Sequence, residues 1–460
     1  MPRFLFSIIS IISLVAIVAC EKNDPLFCQT NPTAAQCEMM MPIDAPPIDT
    51  PPSCTDNTGC KLATAPVCDL SGSISACVEC TAIDHMLCVD TKPICGTAET
   101  CEGCKSHGDC TASGVCLASG ACADEGDVAY VDRFGPATTG CTKASQCNRI
   151  ASALATQTAL GMPRPYLKIK GAIVEAVAIS RDVTVFAEPG ASVTRDTDGA
   201  VVSVSGTSVV EIDDLTVTGS SSNGGPGILT SDTTALTVKR VTLSKHKGNG
   251  ISCAGKSLTV SGSTFSENGL FGIECTTGSV TVSSSTFAKN AAGGLLAAGG
   301  SFDITNSFLY DNGDKDNGRV GGVSLDPQAG TMNRFEFNTV VDNHVKNFVA
   351  APSAGVVCDV AALIAPNNII ARNDIHGDVN PANANTAGRC TYPTSAITTS
   401  VVGLRFVAPD AAVRDYHLNA GSTAIGAATT ATTVTNDFDG DVRPQGATRD
   451  QGADEYKPGA

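Results

Sequence analysis

The chain has 460 residues, longer than one compact domain needs, and is 42 % hydrophobic but only 5 % aromatic, with no Trp and 45 Gly. That mix excludes a large helical core and favours short elements of small side chains joined by many turns. A net charge of −16 excludes nucleic acid as a partner, while an acidic surface keeps the chain soluble and can attract divalent cations.

Arg3 is followed by an uncharged run of sixteen residues, Phe4 to Ala19, that stops at Cys20. A membrane helix needs about 20 apolar residues, so the run reads as a secretory signal over 1–19. Its end, Ile17-Val18-Ala19-Cys20, resembles the lipobox of bacterial lipoproteins. The resemblance implies a lipid on Cys20, which becomes the mature N-terminus and holds the chain on a membrane. Glu21, standing where an Asp is absent, resembles lipoproteins forwarded to the outer membrane, which implies a surface-exposed envelope location. Residues 20–53 then form a tether, stiffened by the Pro-rich segment Met41 to Pro52.

Setting Cys20 aside leaves 20 cysteines, an even number that suits export to an oxidising space. Cys28 and Cys37 precede the Pro-rich segment, and over 54–122 twelve more form three sets: Cys54/Cys60/Cys68/Cys77, Cys80/Cys88/Cys95/Cys101 and Cys104/Cys110/Cys116/Cys122. Modules this short bury little apolar area, so two disulfides each would replace a core, with connectivity open. Cys77 with Cys80, and Cys101 with Cys104, also have zinc-like spacing, but they straddle module boundaries and export favours disulfides. The array is similar to the Cys-rich repeats of myxobacterial-type surface proteins.

The body, 127–375, is expected to open with an amphipathic capping helix over Asn148–Ala159, with Ile150, Leu154 and Leu160 near one side. Between about residues 228 and 312 the sequence repeats every 22 residues. Four apolar columns are Leu229/Ile251/Ile273/Leu295, Leu236/Leu258/Val280/Phe302, Val238/Val260/Val282/Ile304 and Leu243/Phe265/Phe287/Leu309; a polar one is His246/Asn268/Asn290/Asn312. Within each repeat apolar and polar residues alternate, as in a strand with one buried face. Short strands at a fixed period describe a solenoid, a parallel β-helix whose coils stack about 4.8 Å apart. Asn at a turn suits the left-handed conformation and can bond the amide on the next coil. Offsets of 26 upstream, and of 31 and 30 downstream (Phe335/Val340/Asn343, then Ala365/Ile370/Asn373), bring the count to at least seven coils. Cys253 and Cys275 occupy equivalent places on adjacent coils, within reach of a disulfide if stacked; Cys141/Cys147 and Cys358/Cys390 are the remaining candidate pairs. Residues 376–460 complete the body as C-terminal coils and cap.

Tyr130-Val-Asp-Arg-Phe and Val183-Thr-Val-Phe-Ala-Glu-Pro-Gly-Ala resemble the opening of pectin-lyase-like proteins. Asp415-Tyr-His-Leu, Asn436 to Pro444 and Arg449 to Tyr456 are similar to the tail of β-helix proteins with a choice-of-anchor Q domain. That resemblance implies an all-β chain with a right-handed parallel β-helix; it departs from the family at Ala424-Ile-Gly-Ala-Ala, where an Asp usually follows the Ile.

No catalytic constellation emerges. The outward columns Thr237/Thr259/Thr281/Asp303 and Lys239/Ser261/Ser283/Thr305 hold too few acids and bases to line an acid–base site. Asp213-Asp214 faces Lys239-Arg240 as a charge pairing between coils, and Lys239, Arg240, Lys245, His246 and Lys247 form a small basic spot. Asp311, Asp314 and Asp316 in one loop, and Asp437, Asp439 and Asp441 near the tail, are candidate ligands for Ca²⁺, though neither set completes a calcium loop. These features describe a lipid-anchored protein presenting a β-helix to a polysaccharide or a surface protein, with no cofactor. The alternative is a polysaccharide lyase or glycoside hydrolase with a loop-borne site.

Overall fold

A computed structural model describes residues 54–459, apart from 72–74, 86, 232, 314–319, 327–331, 347–352, 361, 377–383 and 430–431. Cys20, Asp314 and Asp316 lie outside the described residues. The chain divides into two compact units: one runs to Cys104 and includes Ala118–Ala121, the other holds Lys105–Leu117 and Cys122 to the C-terminus. Among the described residues no helix is long and apolar enough to cross a membrane.

The first unit is held by crosslinks. Cys54 bonds Cys68 and Cys60 bonds Cys77, then Cys80 bonds Cys95 and Cys88 bonds Cys101. Each set therefore joins first to third and second to fourth. Its strands are two or three residues long, so closing loops of 13 to 17 residues carries the stability. Cys77, Cys80, Cys101 and Cys104 are all disulfide-bonded, which leaves no thiolate there for zinc.

The second unit is a solenoid. Each coil gives a strand to a first, a second and a third parallel sheet in turn, and the described residues contribute nine, ten and nine strands to them. The first sheet runs from Val128–Asp132 to Arg334–Glu336, the second from Ala172–Val174 to Ala396–Thr398, the third from Val177–Ile179 to Thr386–Gly388. Parallel register places Leu236 on Leu258, Val280 and Phe302; Val238 on Val260, Val282 and Ile304; and Leu243 on Phe265, Phe287 and Leu309. All of these side chains are buried, and the rings of Phe265 and Phe287 stack at 4.9 Å. A buried side chain of this size contributes about 1.5–3 kcal/mol, and the column repeats that gain on every coil.

One column differs from the sequence reading. Ile228, not Leu229, pairs with Ile251, and Leu229 stays 39 % exposed. The step from Ile228 to Ile251 is 23 residues, one more than the period, and side chains alternate faces along a strand. A glycine column shows why Ile228 is the match. Gly227, Gly250, Gly272, Gly294, Gly322 and Gly355 each precede the inward residue of the third sheet. A Cβ at Gly272 would sit 2.7 Å from the Gly294 carbonyl oxygen and from the Phe287 ring, so no larger residue fits at that place in the strand.

The expected cap is also shorter. The helix spans only Ile150–Leu154, and Leu160 is 90 % exposed. The Thr156 hydroxyl donates to the Ala153 carbonyl oxygen at 2.7 Å and the chain then turns back through a Gln157–Pro163 bridge, which ends the helix. Ile150 and Ala153 close the core end beside Leu167 and Ile169. Glu175, on the coil below, accepts from the Ile150 and Ala151 amides at 2.8 and 3.2 Å, so the helix start borrows its cap from another coil. The disulfide Cys141–Cys147 lies in the same core, and Cys358–Cys390 ties the far end, where Tyr392 is partly buried against the core. Lys105–Leu117 packs on the first coils: Val115, Tyr130 and Phe186 form a small core, and the His107 ring meets Phe186 edge-on at 5.0 Å.

Residues from Val401 onward fold over the second sheet. Leu404, Phe406, Tyr416 and Leu418 bury Phe308, Val341, Ile369 and Ala371 on its outer face. At the Ala424-Ile-Gly departure, Ala424 is buried and the Gly426 amide donates to Asp450 at 2.6 Å. A carboxylate from another segment thus caps this turn.

Candidate functional site

Two corners of each coil are polar inside, and both are built as ladders. At one, the backbone amides of His246, Asn268, Asn290, Asn312 and Asn343 each donate to the side-chain oxygen of the Asn one coil on, at 3.0–3.2 Å. The Asn290 amide nitrogen also donates to Asn312 Oδ1 at 2.9 Å and to the Phe265 carbonyl oxygen at 3.0 Å. The left-handed residue is the one before: Lys245, Glu267, Lys289 and Asp311 have φ of 61, 57, 58 and 53°. Asn is therefore there for its amide and not for its backbone tolerance, which corrects half of the sequence argument. The second corner has a ladder that the columns above missed. The amides of Val241, Ser263, Ser285, Ser307 and Asn338 donate to Ser263, Ser285, Ser307, Asn338 and Asn368 at 2.8–3.3 Å. Ser at a 22-residue spacing was its signal.

These internal ladders leave two outer faces for contact with other molecules. On the first sheet, Thr237, Thr259 and Thr281 form one row and Ser261 and Ser283 a second. Ion pairs bound the rows at each end. Lys239 bonds Glu211, Arg240 grips Asp214 with two bonds of 2.6 and 2.9 Å, and Arg334 grips Asp303 with two of 2.7 Å. On the second sheet Ser192/Thr194, Thr216/Thr218, Thr242/Ser244, Thr264/Ser266 and Thr286 continue the hydroxyl surface up to Phe308, where the C-terminal segment covers it. Strand spacing sets the rungs about 4.8 Å apart.

The charges that the sequence drew together are dispersed. Asp213 is buried beside its surface pair with Arg240, and its Oδ1 has no hydrogen-bond partner. Burial, aided by Glu211, pushes its carboxyl up to about 6. The basic spot is not one face: Lys239 and Arg240 are paired, while His246 lies in the Asn ladder with Nε2 3.0 Å from the Val217 carbonyl oxygen. Burial holds that imidazole down at about 4, so it is neutral at pH 7.

Of the candidate cation ligands, Asp311 is engaged by Arg414 at 2.8 Å. Asp437 is buried and fully used: Oδ1 accepts from the Asp439 and Asp441 amides at 3.0 and 2.8 Å, and Oδ2 from the Glu455 amide at 3.1 Å. Asp441 pairs with Lys457 at 3.1 Å. The alternating aspartates are therefore a turn folded around its first carboxylate and do not converge as one ligand set. Asp439 alone points elsewhere, its Oδ2 lying 3.1 Å from His417 Nε2.

His417 belongs to a cluster that sequence spacing did not reveal, since its members come from three segments. Its Nδ1 lies 2.6 Å from Asp415 Oδ1, and its ring packs edge-on to Phe308 and Phe438 at 5.1 and 5.8 Å. Burial lowers the imidazole's proton affinity, but the Asp415 hydrogen bond and the charges of Asp454, Asp439 and Asp415 outweigh it and raise it overall. Asp454 accepts the Leu418 amide at 2.6 Å and burial pushes its carboxyl up to about 6. Behind the cluster, Arg443 is wholly buried, bonded to Glu455 at 3.0 Å and to the Gly452 and Ala453 carbonyl oxygens at 2.8 and 2.7 Å, with its guanidinium 4.4 Å over Phe337.

Comparison with known proteins bears on this architecture. The family described as right-handed β-helix region matches residues 199–395. The solenoid is a right-handed parallel β-helix. Among solved structures the β-helix chain is similar to pectate lyase Pel9A, at 14 % identity and a TM-score of 0.43, over 72 % of this chain and 96 % of that one. At that distance the likeness carries no chemistry over. No curated protein matches the sequence.

Proposed function

We propose that this chain is a lipid-anchored envelope protein whose β-helix presents its hydroxyl-lined faces to a polysaccharide or a surface protein. The observation that carries the reading is the pair of Ser/Thr faces on the first and second sheets. They are regular, run over several coils, and their flanking charges are spent on each other. Such a face offers repeated neutral donors and acceptors, which suits an extended ligand with its own repeat. It offers no free acid–base pair for cleavage. The sixteen-residue apolar run ending at Cys20 supports anchoring by a lipid at that residue, on the outer membrane and facing outward. The disulfide-bonded modules support a stalk in an oxidising space.

The rival reading is a polysaccharide lyase or glycoside hydrolase, and one experiment separates the two. The mature chain is applied to a glycan array, and the glycans that bind are then screened for cleavage with and without calcium. The expected outcome is binding without product, abolished when Thr259 and Thr281 are both replaced by Lys. Released oligosaccharide in either condition would overturn the reading.

A further inference from the structure

We propose that His417, Asp439 and Asp454 form a binding site for one divalent transition-metal ion of the zinc class. A ligand atom from each lies within 4.8 Å of those from the other two. Nε2 of His417 and Oδ2 of Asp439 are 3.1 Å apart, near the edge of a tetrahedron around an ion bonded at about 2.0–2.2 Å. The imidazole is oriented as metal-bound histidines are. Asp415 holds Nδ1 at 2.6 Å, which fixes the ring and leaves Nε2 as the nitrogen turned towards Asp439 and able to bind an ion. That Nε2 is a buried atom with no hydrogen-bond partner, even though a carboxylate oxygen stands beside it. The nitrogen and the oxygen need a cation between them: a proton on Nε2 in the metal-free chain, which a metal ion bonded to both atoms would displace.

The surrounding charge is lopsided in the same sense. Asp415, Asp437, Asp439 and Asp454 all act on one imidazole or on each other. The nearby cations are committed: Lys457 to Asp441, and Arg443 to Glu455. Asp454 is only 7 % exposed and so is anchored, whereas Asp439 is half-exposed and gives an ion access from solvent. Imidazole nitrogen with two carboxylates selects Zn²⁺, Co²⁺ or Mn²⁺ over Ca²⁺, which takes oxygen ligands alone. The site uses only one of the aspartates that alternate in the sequence, and two residues that no loop motif would join.

The test uses the untagged mature chain, stripped with chelator and titrated calorimetrically with Zn²⁺ and with Ca²⁺, and with Co²⁺ followed by visible absorption. The expected result is one Zn²⁺ per chain, a Co²⁺ spectrum in the visible, and weaker or no Ca²⁺ binding. Asp439→Asn, half-exposed and outside the buried network, should weaken Zn²⁺ at least about 10-fold without changing the metal-free melting temperature, and Asp415→Asn about 10- to 100-fold. Absence of saturable Zn²⁺ binding, tighter binding of Ca²⁺ than of Zn²⁺, or unchanged Zn²⁺ affinity in both Asp439→Asn and His417→Gln would overturn the proposal.

Discussion

The coils between residues 228 and 343 and the segment from Val401 to Tyr456 solve the same problem with different chemistry. Both must bury polar backbone. In the coils each turn lies above a copy of itself, so a neutral amide can satisfy its neighbour indefinitely, as Asn268, Asn290 and Asn312 do. The C-terminal segment has no copy to stack on. It buries charges instead, with Asp437, Asp450 and Glu455 accepting backbone amides and Arg443 donating to carbonyl oxygens. Repetition makes neutral ladders sufficient; a single irregular layer needs ions. The two regions should therefore fail under different perturbations.

The largest difference is expected from Arg443→Met. It removes one half of a wholly buried pair and leaves Glu455 buried without its counter-charge, a loss of about 3–5 kcal/mol. Hydrogen exchange should show the Val401–Tyr456 segment opening while amides at Asn268 and Asn290 stay protected. Equal loss in both regions would mean that they are one cooperative unit.

A change of pH should separate them by sign. His246 is held near 4 against an ordinary 6.5, so the unfolded chain binds the extra proton as pH falls between those values. Coil stability is then lost on acidification, by roughly 3 kcal/mol over the window, and His246→Asn should abolish the effect. Asp450 and Asp454 are held at about 6 against 3.8, so across their window the folded chain binds more protons. The C-terminal segment should gain stability as pH falls from 7 towards 4. Local opening energies from exchange at pH 7 and pH 5 read both signs in one sample.

Smaller still is Asn290→Ala, which takes the acceptor from the Asn268 backbone and side-chain amides and the side-chain donor from the Phe265 carbonyl oxygen, while Asn312 keeps the backbone amide of residue 290. Stranding these groups should cost about 1–3 kcal/mol, read by urea melts. The same truncation at exposed Thr259 should leave the melt within about 0.5 kcal/mol.

How much the sequence revealed follows the same divide. Phe265, Phe287 and Leu309 could be stacked from spacing alone because period and packing coincide in a solenoid. Leu229 was misplaced because Ile228 and Leu229 are both apolar and the connection that follows, from Thr230 to Ala235, is one residue longer than that from Cys253 to Ser257. Gly227, aligned with Gly250 and Gly272, was the cue for the right register. The helix over Asn148–Ala159 was overextended because periodic apolar residues say nothing of the turn made by Thr156 and Pro163. The cluster of His417, Asp439 and Asp454 was illegible, since 22 and 15 residues of irregular chain separate its members. The Asp437-x-Asp-x-Asp441 spacing misled, because a carboxylate capping its own turn has the same pattern as one awaiting a cation.

The claim beneath all of this is that neighbouring coils lie in register, so that residues one turn apart in the chain touch. Cys253 and Cys275, with Cα atoms 4.6 Å apart on adjacent strands, report on it directly. Mass-spectrometric mapping of the unreduced protein should recover the two peptides carrying these residues joined to each other. Either cysteine joined to a different partner, or both recovered as free thiols, would contradict the account.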